Sequence, residues 1–316
     1  MPLDDAPNTD APATLPLDDL QGNVARGYTF PVAHFSFWRF VSEPARARTW
    51  LGALLEVVTA GTPWSAEKPR TTLNVAFTHS GLAALGLAQP SLLSFPQEFR
   101  EGMATPERAV ELGDVGDSDP RHWDFGNPDQ PLDVMLAIHG QTSQEVSERL
   151  ELLRAANAQV LAEVYALPAA VLAPDPRREH FGFRDGFGQP SIAGSGVASV
   201  PGQGTPEEGK WRDVNPGEFI LGHDDESGGQ LKPLPQPPEL GTNGTFLVFR
   251  KLYQDVAQFR QALAQRARAV LGADNEANRE WLASRWVGRW RSGAPVALCP
   301  DRDDPALAED WNRTLD

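Results

Sequence analysis

Cysteine is almost absent from this sequence, with Cys299 the only one. A single thiol cannot close an internal disulfide, and it cannot build a cysteine zinc site or an iron–sulfur cluster. It reads as a small buried hydrophobe rather than a nucleophile. Long apolar runs are missing too: no stretch approaches the ~20 consecutive apolar residues that span a bilayer. Positive charge is scarce, with 28 Lys and Arg against 43 Asp and Glu, a formal net charge of −15. A field of that sign repels phosphate backbones and anionic headgroups, which argues against nucleic-acid and membrane-surface binding. Residues 1–16 are rich in Asp, Pro and Ala, without the basic and then apolar segments of a secretory signal. They read as a disordered tail, and the expected location is cytoplasmic.

What remains is enough for a substantial core. The 316 residues are 41% hydrophobic and include 9 Trp and 15 Phe, a length that suits one large domain or two ordinary ones. Residues 31–41 (PVAHFSFWRFV) are aromatic and β-branched and predict a strand. Ser42 is placed to cap the following helix, with Pro44 in its first turn and Trp50, Leu51, Leu54, Leu55 and Val58 at helical spacing. Gly61 is expected to close it. Residues 71–79 predict a second strand, and Ser80 starts a short helix. From 88 to 130 the chain is rich in Pro, Gly and Asp, with one short helix expected around PQEFREGM. A third strand is expected at 132–139. Thr142 and Glu145 then form a capping-box pattern ahead of a helix carrying Val146, Leu150 and Leu153. A fourth strand falls within 159–172. The order is βαββαβ, a ferredoxin-like α+β unit with two helices on one face of an antiparallel sheet.

A second unit starts after Pro174. Residues 217–223 (GEFILGH) and 243–252 (NGTFLVFRKL) read as strands, and Asp255 caps a helix bearing Val256, Phe259, Leu263 and Ala267 on one face. The last residues carry loop chemistry, so this unit is expected to be an incomplete copy of the first. The division is a tail at 1–16, an N-terminal ferredoxin-like domain at 17–172 and an incomplete C-terminal one at 173–316.

The densest chemical cluster is HFGFRDGFGQP, His180 to Pro190. Gly182, Gly186 and Gly188 flank one carboxylate, Asp185, with Arg184 beside it and Phe181, Phe183 and Phe187 around it. Glycines let a backbone approach a flat ligand closely, and phenylalanines exclude water. A carboxylate there is expected to be desolvated, with a raised pKa suited to proton transfer. The competing reading is structural, since Asp-Gly is also a common turn dipeptide.

The same stretch resembles the GxxDG signature of dye-decolourising (DyP-type) haem peroxidases, with Gly182, Phe183, Arg184, Asp185 and Gly186 in its five positions. Six further stretches resemble that family in the same order: 17–28, 95–103, 112–126, 216–222, 243–256 and 287–296. Together they run from about Leu17 to Asp304 and match the longer-chain members. The resemblance implies two ferredoxin-like halves of a dimeric α+β barrel architecture, with haem b in the C-terminal half. It implies that Asp185 moves a proton between the oxygens of hydrogen peroxide, and that Gly182, Phe183, Arg184, Gly186, Phe187 and Gln189 line the cofactor. Dyes and phenolic compounds are the implied reductants, oxidised directly or through surface Trp or Tyr.

In that family the iron is held by a proximal His in a segment resembling GAHIRRxNPR, followed by a distal Arg. This chain reaches Asp316 before any such segment, and none of its six histidines sits in that context. The first expectation is therefore a peroxidase sequence truncated at its C-terminus, with haem binding and activity of the chain alone in question. A second is a haem-free relative that serves as a structural or binding protein and needs a separate C-terminal partner, or that forms a homo-oligomer. A third is an acidic α+β binding protein whose Gly-rich loop holds another flat ligand.

Overall fold

A computed structural model describes residues 15–64, 67–175, 177–186, 188–197, 200–207, 210–230, 233–310 and 313. Residues 1–14, most of the expected tail, lie outside the described residues. The chain forms two compact units. One takes in Met1–Ala170, Ile192–Val197 and Asn215–Leu247, and the other Val171–Ser191, Ala198–Val214 and Val248–Asp316.

In the first unit, α1 (Gly22–Ala25) precedes β1 (Val32–Phe40), α2 (Pro44–Leu55), β2 (Thr71–Phe77) and α3 (His79–Ala84). Then come α4 (Gln89–Leu93), α5 (Gln97–Glu101), α6 (Pro106–Leu112), β3 (Val134–Gly140), α7 (Ser143–Asn157) and β4 (Leu161–Ala170). The sheet order is β2-β3-β1-β4 and every pairing is antiparallel. This is the ferredoxin-like α+β arrangement expected from the order of elements.

The period-2 alternation of the strands places one set of apolar side chains on a common face. Trp38 and Phe40 of β1, Leu73, Val75 and Phe77 of β2, and Val134, Leu136 and Ile138 of β3 pack with Trp50 and Leu54 of α2 and Val146, Leu150 and Leu153 of α7. Leu136 and Ile138 are completely buried. Trp50 Nε1 donates to Asn157 Oδ1 at 2.7 Å, so the indole's polar edge is satisfied where α2 meets the end of α7. At the start of α7 the capping box forms as the sequence predicts. The Thr142 hydroxyl accepts from Glu145 N at 3.2 Å and the Glu145 carboxylate from Thr142 N at 3.1 Å.

Several local expectations are corrected. Helix α2 is preceded by Glu43, with no side-chain cap from Ser42, because Pro44 takes the first helical position. It ends at Leu55 rather than at Gly61. Helix α3 begins at His79, since the Thr78 hydroxyl, not Ser80, accepts from Gly81 N. The 88–130 region holds three short helices, α4 to α6, where one was expected.

The second unit contains the β5–β6 hairpin (Thr205–Glu207 with Lys210–Arg212), α8 (Val256–Leu271), α9 (Glu276–Val287) and α10 (Pro305–Ala308). Helix α8 starts as expected, with the Asp255 side chain accepting from Gln258 N at 2.8 Å. Helix α9 was not anticipated. Its ends are nonetheless signalled, by an Asn275 side chain that accepts from Asn278 N and by Gly288 in the left-handed region. The two expected strands beyond Pro174 do not form. In 217–223, Pro216–Glu218 makes a 3₁₀ turn and Gly222 takes a φ of +85°, which breaks the extended run. Residues 245–252 are not a β-strand, because an apolar alternating pattern becomes one only where a neighbouring strand meets its edge.

Candidate functional site

The GxxDG stretch lies wholly in the second unit, and its shape is set by one carboxylate. Glu179 accepts from Phe181 N and Phe183 N, each at 2.7 Å, while Gln254 Nε2 donates to it at 2.8 Å. Its own N–H donates to the Phe183 carbonyl at 3.0 Å, and Gly182 N donates to the Glu179 carbonyl at 2.9 Å. Gly182 sits at φ +94°, a conformation natural to glycine. A Cβ there would also fall 2.7 Å from an Arg291 guanidinium nitrogen. That guanidinium stacks 4.7 Å from the Phe183 ring centre and donates to the Phe181 carbonyl and to Glu280. Phe183 is buried among Leu263, Leu282 and Ala283, so it anchors the turn to α8 and α9.

Beyond Phe183 the chain runs outward. Arg178 and Arg184 form an isolated antiparallel bridge, and Asp185 N donates to the Arg177 carbonyl at 2.8 Å. The Asp185 carboxylate is exposed, and its Oδ1 accepts from Gly186 N at 2.7 Å. This corrects the expected desolvation: the side chain folds back on its own turn, and among the described residues it stays exposed. Arg184 is turned inward onto Glu309, with Nη1 to Oε1 at 2.8 Å. Gly186 takes a φ of +83° with open space around it. Gln189 is exposed, its N–H donating to Gln203 Oε1 at 2.6 Å. Phe187 lies outside the described residues. The structure thus brings Gly182, Phe183 and Arg184 into one clamped turn and leaves Asp185, Gly186 and Gln189 on its outer side.

Sequence reasoning missed Glu179 and Arg291 as the groups that hold this turn. Arg291 falls in the family-like stretch 287–296, which was the available signal for it. Glu179 had none, because its role appears only when the turn closes.

The histidines are dispersed. His34 is buried on β1, and Nε2 finds no hydrogen-bond partner among the described residues. Burial, and then the nearby Arg154, hold its pKa below the ordinary histidine value. His139 is packed edge-on against Tyr28 and Phe35, and desolvation lowers its pKa too. His79 Nε2 lies 3.3 Å from the Leu92 carbonyl, and His223 Nε2 2.8 Å from Asn243 Oδ1. His122 and His180 are exposed. The second unit has one cavity of about 120 Å³ beside the motif and another of about 440 Å³ between α9 and residues 301–303. Neither is lined by a histidine, and the one beside the motif is far too small for a porphyrin.

Comparison with known proteins agrees with the fold. Residues 19–172 match the family model described as the DyP dimeric alpha+beta barrel domain. A dye-decolorizing peroxidase of Mycena epipterygia is 32% identical over 306 residues, covering 96% of this chain and 54% of the relative. Peroxidase 2 of Mycetinis scorodonius is 31% identical, with 95% and 54% covered. The chain therefore spans about half the length of the curated relatives it matches. A solved ancestral D-type dye-decolorizing peroxidase superimposes with a TM-score of 0.77 at 28% identity, over 96% of this chain and 64% of that one. A fungal DyP-type peroxidase from Auricularia auricula-judae gives 0.75 at 26% identity, over 96% and 62%. Residues 19–172 thus match the DyP dimeric alpha+beta barrel domain, and the chain is similar in sequence and fold to dye-decolourising (DyP-type) peroxidases along nearly its whole length.

Proposed function

We propose that this sequence encodes the N-terminal part of a DyP-type peroxidase, an oxidoreductase that uses hydrogen peroxide to oxidise dyes and phenolic compounds, with haem b as the cofactor of the whole enzyme. The observation that carries this reading is the match over 96% of the chain, in which the family's GxxDG stretch falls on a rigidly held turn. On this reading Asp185 handles the proton of the peroxide: its carboxylate takes a proton from one oxygen and returns it to the other. Its exposure within this chain leaves it accessible to such a substrate, and the Glu179 clamp fixes where it stands. Gly182 permits close backbone approach, while Arg184 and Phe183 hold the loop from behind. No histidine among the described residues is assigned as the iron ligand.

The test pairs this chain with the C-terminal portion of a relative such as the Mycena epipterygia enzyme, and follows peroxide-dependent oxidation of 2,6-dimethoxyphenol. Activity is expected only in the pair. There Asp185→Asn should slow reaction with peroxide by about 10²–10⁴, the usual cost of losing a positioned acid–base group, with folding and haem content retained. Full activity in the Asn variant would return Asp185 to an ordinary turn residue.

A second reading, a haem-free structural or binding protein that requires a separate partner chain or a second copy of itself, draws on one feature. Val248, Leu252 and Tyr253 are 70%, 74% and 89% exposed along a segment that forms no strand. That combination suits pairing with an added strand. Association that buries this segment without any haem would favour it.

A further inference from the structure

We propose that the small cavity behind the GxxDG turn, bounded by Arg177, Arg178 and Arg184, is a binding site for one small oxyanion, which competes there with the carboxylate of Glu309. The cavity of about 120 Å³ is lined by these three arginines, by Asp175 and Glu309, and by Ser292 among its polar groups. Three guanidinium groups thus face two carboxylates, an excess of one positive charge in a chain whose formal net charge is −15. The Arg184 side chain is only 10% exposed, so its charge is partly desolvated and its demand for an acceptor is strong.

The two carboxylates are not equivalent. Asp175 is built into the turn: it accepts from Arg177 N at 3.1 Å and from Arg178 Nε at 3.1 Å. Arg178 is further fixed by donating to the Gly182 and Arg291 carbonyls at 2.7 and 2.9 Å. Glu309 follows the four-residue helix α10, and its side chain is 57% exposed. Its Oε1 nevertheless receives both Arg184 Nη1 at 2.8 Å and Arg177 Nη1 at 3.5 Å, while Oε2 receives Arg184 Nη2 at 3.4 Å. Two guanidinium groups converging on one oxygen is the arrangement that recognises carboxylate, phosphate or sulfate. Glu309 marks the place where such an oxyanion sits, and its exposure lets it be displaced toward solvent. No haem is required for this contact.

The test is the thermal unfolding midpoint of the 316-residue chain in sodium sulfate and in sodium acetate, each against sodium chloride at matched ionic strength. Sulfate should raise the midpoint beyond chloride in a saturable way. A like response to acetate extends the site to planar carboxylates, and a response to sulfate alone restricts it to tetrahedral oxyanions. Glu309→Gln, which removes the internal competitor, should lower the half-saturating sulfate concentration about tenfold, a change of ~1.4 kcal/mol. Arg184→Gln should abolish the specific response. If Arg184→Gln fails to fold, Glu309→Gln decides alone, because it alters a half-exposed side chain. Identical sulfate curves in the wild type and in Glu309→Gln would overturn the proposal.

Discussion

The sheet of the first unit and the GxxDG turn of the second are held by different forces. The sheet rests on apolar burial: Leu73, Val134, Leu136 and Ile138 are at most 1% exposed, and paired strands carry them in strict alternation. Among the described residues the turn has one buried aromatic, Phe183, and is otherwise tied by charge-assisted hydrogen bonds that Glu179 accepts and that Arg178 and Arg291 donate. The scaffold is thus specified by a local repeat in the chain. The GxxDG turn is specified by a few long polar side chains that meet only after folding, which leaves the Asp185 carboxylate outside while the backbone is held.

That contrast can be broken most severely at the sheet. Leu136→Ala removes a fully buried side chain from the middle of β3 and should cost about 2–5 kcal/mol, read as a lower urea midpoint with an unchanged slope. A cost under ~1 kcal/mol would mean that the sheet is not the core of that unit.

Glu179→Ala should cost less in global stability but act locally. Two backbone N–H groups lose a charged acceptor, at about 1–3 kcal/mol. Hydrogen exchange at Phe181 and Phe183 should accelerate while β3 keeps its protection. Uniform acceleration in both units would show that the turn is not an independent device.

The same comparison explains what could be read from the sequence. The strands expected at 31–41 and 132–139 form at Val32–Phe40 and Val134–Gly140, and the first was legible because its aromatic and β-branched residues suit a sheet packed against helices. Thr142 and Glu145 were legible because a capping box is completed within four residues. Residues 217–223 misled because their apolar composition outweighed Pro216 and Gly222, whose backbone preferences turn the chain. Asp185 was singled out from its glycine neighbours, yet its exposure was not foreseen. Whether a carboxylate is enclosed depends on which surfaces surround it, and the residues beside it in the chain do not settle that. Glu179 and Arg291, separated by over a hundred residues, carry no pattern that announces their cooperation.

Two smaller effects sharpen the account of the scaffold. Thr142→Ala should destabilise the first unit by ~1 kcal/mol through loss of the cap on α7, measured by thermal or urea unfolding. His34 should make that unit acid-sensitive. Its folded pKa lies below the ordinary histidine value near 6.5, so the unfolded chain binds a proton more readily. Stability is therefore complete above about pH 6.5, begins to fall as pH drops through that value, and stops falling on this account once the lower folded pKa is passed. His34→Gln should flatten the pH dependence over that window, as followed by urea midpoints at a series of pH values.

We propose that the GxxDG turn serves the peroxide side of a DyP-type haem site and that the described residues of this chain do not supply its axial imidazole. Titrating the purified 316-residue chain with hemin while recording its absorption spectrum tests this most directly. The account predicts weak, substoichiometric changes without the spectrum of a histidine-ligated iron. A sharp one-to-one endpoint with a histidine-ligated Soret band would contradict it.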